Sequence, residues 1–162
     1  MTSFLDSVFH DAENRYLKPE ELKNLSQYVS SLPERLQIYR TLRDREIDIL
    51  QWAADQLQAA MPQENPELLE RSVKGAILML RYCAMAMLMN DDRIVRERYV
   101  GWFSELSEVY GMKAIDATLY QYLNQRLNQI LGSRAMTLLE PILSLAQGRE
   151  LETASLNGKA YR

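Results

Sequence analysis

The chain has 162 residues, which fits one compact domain of ordinary size. Hydrophobic residues make up 47% and charged residues 25%, and this composition excludes a disordered chain. The formal net charge of −3 does not indicate a basic surface for nucleic-acid binding. The single cysteine excludes an internal disulfide. The first fifteen residues lack the charged start and apolar run of a signal peptide, so we expect an intracellular protein.

Apolar residues recur at helical spacing along the chain, and almost no stretch alternates as a strand does. The pattern predicts seven helices, over about residues 3–14, 19–31, 33–60 with a break near 45, 67–89, 92–110, 115–131 and 135–145. Residues 148–162 are polar and unpatterned. We therefore expect a single all-helical domain over residues 1–147, followed by a flexible tail over 148–162.

The fourth predicted helix contains AILMLRYCAMAMLM at residues 76–89, which is apolar all round apart from Arg81. A helix with no polar side belongs at the centre of a fold. The run of 14 residues also falls short of the roughly 20 that a membrane span requires. The sequence therefore predicts a buried core helix here and not a membrane span.

Residues with catalytic or metal-binding chemistry are scarce. His10 is the only histidine and is predicted to be solvated, so we expect no haem site, no Cys/His metal cluster and no histidine-based catalytic triad. Cys83 lies in the most apolar helix, where a lone cysteine is usually an inert packing residue. The acidic pairs stand at helix starts, where they complement the helix dipole. Enzymatic catalysis is the weakest hypothesis.

The first predicted helix carries Phe4, Leu5, Val8 and Phe9 on one stripe. Burial of such side chains contributes roughly 1.5–3 kcal/mol each. The helix is joined to the rest of the chain by a short linker over residues 15–18, which allows it to reach away from its own core. This stripe predicts docking on another copy or on a relative.

Two longer segments carry a family resemblance. DAENRYLKPEELKNLSQYVSSLPERLQIYRTLRDREIDILQWAADQL at residues 11–57 and LRYCAMAMLMNDDRIVRERYVGWFSELSEVYG at residues 80–111 resemble phycobiliproteins, and the allophycocyanin group most of all. Residues 112–147 fit more loosely. The resemblance implies an all-α, globin-like fold with a protruding N-terminal helical hairpin over residues 1–31 that docks on a partner subunit. It also implies the cytoplasm of a cyanobacterium or the plastid stroma, including the thylakoid surface.

In this family the bilin pigment is covalently attached to a cysteine in a C-x-R-D motif. The matching positions here hold Ser72, Lys74 and Gly75. Serine has no thiol for the thioether bond, so the resemblance implies that covalent bilin is absent. The missing aspartate removes a charge-assisted hydrogen bond worth about 1.5–3 kcal/mol. A vestigial pocket would use Arg71 and Lys74 toward propionates beside Ser72. Cys83 lies on nearly the same helix face as Ser72 but about 16 Å along the axis, so a bilin attached there would occupy a different cavity.

The family's subunit interface is better preserved. There, an aspartate of the DAE motif pairs with the arginine of LRY across two subunits, and here these residues are Asp11 and Arg81. The tyrosine that joins this pair in relatives is Met85. An arginine in an otherwise apolar helix is costly without a partner. The resemblance therefore implies a homodimer, or a heterodimer with a phycobiliprotein-like subunit.

The sequence thus predicts a non-enzymatic phycobiliprotein-like protein without covalent bilin, which acts by protein contacts in assembly or regulation of phycobilisomes or photosystems. The alternative is a protein that binds a bilin or a chlorophyll without a covalent bond. A third hypothesis, an enzyme of bilin metabolism such as a lyase, lacks a nameable acid, base or nucleophile.

Overall fold

The computed structural model describes residues 4–148, and every regular element among them is helical. These elements are α1 (Phe4–Asn14), α2 (Pro19–Ala60), α3 (Pro66–Met89), α4 (Arg93–Val95), a π-helical turn (Arg96–Val100), α5 (Gly101–Val109) and α6 (Lys113–Ala146). The all-α fold predicted from the sequence is confirmed. The predicted tail beyond residue 148 lies outside the described residues.

Helix α2 is continuous over 42 residues, so the predicted end at residues 30–33 and the predicted break near Arg45 are wrong. Pro33 is exposed inside the helix. Ser31 Oγ braces this turn, because it donates to the carbonyl of Tyr28 at 2.7 Å and accepts from Arg35 Nε at 2.8 Å. The buried positions of α2 stay in helical register on both sides of Pro33, and this packing outweighs the one hydrogen bond that a proline removes.

The core lies between α2, α3 and α6. Its fully buried side chains include Ile49, Leu57, Met79, Met87, Leu119, Leu123, Leu127 and Leu139. Helix α3 begins with Pro66 after an Asn65 side chain that accepts from the backbone N–H of Glu67 at 2.9 Å, and it ends at a left-handed Asn90. These caps fix the limits of the central helix, close to the ends predicted from the sequence.

One face of helix α3 is exposed to solvent. This corrects the prediction that the helix is buried on all sides. The Arg81 side chain is 64% exposed, and Met89 also lies at the surface. Among the described helices, α3 is the one that is long and apolar enough, by length and composition, to cross a membrane. Its apolar stretch is thus longer than the run of 14 residues indicated. Within the protein, 44% of that stretch is buried.

Glycines end or bend the later helices where the sequence predicted. Gly111, with φ of 64°, follows α5, and Gly132 adopts φ of 80° and ψ of 165° within α6. Helix α6 is therefore two helical segments across a kink, as the two predicted helices on either side of residue 132 required. The single helix predicted for residues 92–110 is instead α4, the π-helical turn and α5 in succession.

The first turn of helix α1 lies on the body of the protein. The Phe4 ring meets the Tyr28 ring edge to face at 6.0 Å, and Asp6 lies 3.2 Å from Arg93. No side chain of α1 is buried, and Phe9 is 69% exposed. The apolar stripe of this helix therefore has only part of its surface covered by its own chain.

Candidate functional site

Ser72 stands at the position that matches the family's bilin cysteine. Its side chain lies on the buried face of α3, and the residue is 1% exposed. Its hydroxyl donates to one carboxylate oxygen of Asp116 on α6. Ser107 on α5 donates to the other oxygen at 2.6 Å. The two serines and Asp116 thus form a buried hydrogen-bonded junction of three helices, which we call the Asp116 junction.

Asp116 is 5% exposed. Burial raises its pKa, and the two hydroxyl donors oppose that rise in part because they stabilise the charged form. Sequence reasoning missed this residue. Its partners lie 44 and 9 positions away along the chain, so only the fold brings them together.

Phe103 occupies the space beside Gly75, where the family has its pyrrole-binding aspartate. A Cβ added to Gly75 would lie 2.2 Å from Phe103 Cε2, which is far inside contact distance. The other side of the Phe103 ring stacks on Tyr99, with ring centroids 4.8 Å apart. Gly75 is therefore required for the close approach of this aromatic pair, and no larger residue fits without movement of the ring.

The remaining residues of the predicted pocket point elsewhere. Arg71 is exposed and lies over the Tyr110 ring at 3.9 Å, and the Lys74 side chain is 71% exposed beside Glu70. Cys83 is completely buried, and burial raises the pKa of its thiol to about 12. The structure therefore does not bring Arg71, Ser72, Lys74 and Cys83 into one cavity.

A cavity of about 360 Å³ lies between the π-helical turn, α5 and α6. Asp116 borders this cavity together with Tyr99 and Tyr120, whose hydroxyl oxygens are 3.1 Å apart. Burial raises the pKa of both phenols, so they stay protonated. The lining offers hydroxyl groups, one carboxylate and the ammonium group of Lys113 among aromatic rings.

A second concave surface, of about 470 Å³, lies between α2 and α3 and is lined by Tyr39, Glu46, Arg81 and Met85 among others. We call it the Arg81 groove. Glu46 pairs with Arg81 through two hydrogen bonds of 2.7 and 2.9 Å, which hold the pKa of Glu46 below its usual range. Arg81 therefore has a partner within its own chain, contrary to the expectation that it needs one from another subunit.

The Asp11–Arg81 contact between subunits stays a prediction. Within the chain, Asp11 lies 3.4 Å from Arg15, and both side chains are more than a third exposed. His10 is exposed, as predicted. Among residues 4–148, no group of three or more His, Cys, Asp or Glu side chains is arranged to hold a metal ion.

A family model for phycobilisome proteins matches residues 8–147. The chain belongs to the phycobilisome protein family. No curated protein matches the sequence. The match spans both segments that carry the resemblance and also covers the loosely fitting residues 112–147.

Within this family, oligomers form with other phycobiliprotein subunits, so membership makes a partner surface an expected feature. Sequence reasoning found Arg81 and Met85 of the groove, but it missed Glu46. A carboxylate at that position has no distinguishing local pattern. It also missed Phe103 as the side chain that packs against Gly75, although a glycine at that position is the complementary signal.

Proposed function

We propose that this chain is a non-enzymatic subunit of the phycobilisome family that carries no covalent bilin and acts through protein contacts in assembly or regulation of the photosynthetic apparatus. The observation that carries the proposal is the filled site at Gly75. The Phe103 ring stands where the attachment motif of relatives has a carboxylate, and Ser72 is engaged by Asp116. A thioether cannot form on a serine, and Cys83 is buried and protonated.

The test is coproduction of the chain with bilin and with bilin lyases, followed by denaturation and zinc-induced fluorescence of the separated band. We expect no fluorescence from the wild-type chain. The matched variant Ser72→Cys restores only the thiol, and we expect it to remain dark because the Phe103 ring still fills the space beside Gly75. An authentic phycobiliprotein subunit processed in parallel is the positive control. A fluorescent wild-type band would overturn the proposal.

The second candidate function is non-covalent binding of a tetrapyrrole. The cavity bordered by Asp116, Tyr99 and Tyr120 favours it, because a buried carboxylate suits pyrrole N–H donors. The absorption spectrum of the protein purified from its native host separates the two functions. Stoichiometric pigment that is lost in Asp116→Asn, but kept in an Arg71→Ala/Lys74→Ala variant, supports the second function. A colourless protein supports the first.

The contact surface that we propose consists of the Arg81 groove and the exposed side of α1. Phe9 and Asp11 of α1 are accessible, and Met85 lines the groove together with the Arg81 pair. An exposed ion pair such as Arg81–Glu46 contributes little to folding and can be exchanged for a contact with a partner. We propose that the partner is a phycobiliprotein-like subunit, in the cyanobacterial cytoplasm or plastid stroma and at the thylakoid surface.

Affinity capture from thylakoid extract, with identification of the bound subunits by mass spectrometry, tests this surface. We expect the wild-type chain to retain phycobiliprotein subunits and the Arg81→Ala chain to lose them. Arg134→Ala is the matched control, because the Arg134 side chain is 90% exposed, also pairs with a glutamate, and lies outside the groove. Equal capture by wild type and Arg81→Ala would contradict the proposed surface.

A further inference from the structure

The Arg81 groove has the size and the composition of a site for a small ligand. Its volume of about 470 Å³ lies within the range of about 300–1,000 Å³ that is usual for small-molecule pockets. The buried part of its lining is aliphatic, and the half-buried part includes two phenol rings and a thioether: Leu42, Leu80, Ala84, Tyr39, Tyr82 and Met85. A mostly apolar lining with a few polar groups is what such sites share.

The length of the groove favours a compact ligand. Its residues on α2 run from Tyr39 to Glu46, a distance of about 10 Å along the helix axis. Its residues on α3 run from Leu80 to Met85, or about 8 Å. A ligand built of rings fills this space better than a long extended chain does. The two phenol rings and the Met85 thioether also make favourable contacts with aromatic rings, so we expect an aromatic ligand.

Two arginines provide hydrogen-bond donors for a negative charge. Arg81 donates to Glu46 through Nε and Nη2, and because a guanidinium group has five N–H donors, the others are not used within residues 4–148. Arg43 also lines the groove. Its partner Asp44 is not part of the lining, and this ion pair is an exposed one that exchanges easily. Among the described residues of the lining, the charge of two guanidinium groups exceeds that of the Glu46 carboxylate.

We propose that the Arg81 groove binds a compact aromatic anion. Its rings would lie on the apolar lining, and its acidic group would accept hydrogen bonds from Arg81 and Arg43. Apolar contact provides the affinity, and the charge-assisted hydrogen bonds select the negative charge. This inference goes beyond the proposed function, because it concerns a small ligand in place of a protein partner and stands on the groove alone.

Fluorescence titration with anilinonaphthalene sulfonate and with its uncharged parent, phenylnaphthylamine, tests the site. The two probes share their rings and differ in the sulfonate group. We expect the wild-type chain to bind the sulfonate probe saturably and at least about tenfold more tightly than the uncharged probe. Arg81→Ala should remove this preference. Arg134→Ala is the matched control and should preserve it, because the Arg134 side chain is 90% exposed, pairs with Glu34 and lies outside the groove.

Two further variants separate the effect of charge from that of shape. Glu46→Gln keeps the size of the side chain and removes its charge, so it should raise the affinity for the sulfonate probe and leave that for the uncharged probe unchanged. Met85→Glu adds a carboxylate to the lining and should lower the affinity for the sulfonate probe by about tenfold or more. Circular dichroism and urea denaturation of each variant establish that it is folded, because the sulfonate probe also binds partly unfolded chains.

The outcomes that contradict the inference are distinct. Equal affinity of the wild type for both probes would identify the groove as an apolar contact face for another chain and would overturn the inference. Loss of binding in Lys113→Ala but not in Arg81→Ala would place the anion in the cavity beside Asp116, and it would also overturn the inference. Either result leaves the zinc fluorescence test of the proposed function unaffected, and a fluorescent band in that test leaves this inference unaffected.

Discussion

The close approach of Phe103 to Gly75 makes Gly75→Ala the most informative single substitution. The added methyl group would lie 2.2 Å from Phe103 Cε2 and 2.5 Å from Cζ, so the ring has to move. Tyr99 stacks on this ring at 4.8 Å and is 1% exposed, so movement disturbs a second buried ring. Overpacking costs about 1–3 kcal/mol, and an approach of 2.2 Å to a buried ring corresponds to the upper part of that range, about 2–3 kcal/mol, whereas alanine recovers about 1 kcal/mol of helix propensity. We expect a net loss of about 1–2 kcal/mol in the free energy of unfolding.

Urea denaturation followed by circular dichroism measures this loss. Gly101→Ala is the matched control, because a Cβ at that helical glycine meets nothing within 4 Å, and it should raise stability by up to about 1 kcal/mol. Phe103→Leu removes the ring atoms that clash. In the Gly75→Ala/Phe103→Leu chain the two changes should therefore compensate by about 1–2 kcal/mol in a double-mutant cycle. A Gly75→Ala chain as stable as the wild type, or a cycle without coupling, would refute the reasoning.

Three further predictions concern buried polar groups. Burial raises the folded pKa of Asp116, so its contribution to stability is present below the unfolded pKa and is lost as pH rises through the folded pKa. Asp116→Asn should therefore flatten the fall of the unfolding free energy as pH rises above the ordinary carboxyl range. The Cys83 thiol, with a pKa of about 12, should fail to react with a thiol reagent at pH 8 in the native protein and react fully in urea. Tyr28→Phe removes the 3.0 Å hydrogen bond to the Leu88 carbonyl and should cost about 1 kcal/mol in urea denaturation.

The sequence was informative where structure depends on local pattern. Helical spacing predicted the all-α fold. The predicted helix ends near residues 110 and 131 match the end of α5 and the kink in α6, where Gly111 and Gly132 adopt positive φ. Pro33 led to the wrong prediction of a helix end. The helix continues because of packing on both sides of the proline, and a local sequence pattern does not contain that tertiary effect. Arg81 misled for the same reason, because its partner Glu46 lies 35 positions earlier.

The candidate pocket shows the same division. The loss of a cysteine and an aspartate at Ser72 and Gly75 can be read from the residues by resemblance alone. The side chains that contact these two positions, Phe103 and Asp116, cannot be predicted in this way. They come from other helices, and the sequence around them carries no distinctive pattern. Long-range contacts of this kind require coordinates.

The continuity of α2 has a mechanical consequence. At 1.5 Å per residue, its 42 residues form a rod of about 63 Å that starts beside α1 and runs through the packed body of the protein. Because α2 is not interrupted at Pro33, the orientation of its N-terminal part is set by the packed body of the protein and not by a flexible linker. A partner that docks on this part of α2 binds a helix whose orientation is already fixed. Little conformational entropy is therefore lost on binding, and the folded chain determines the geometry of the complex.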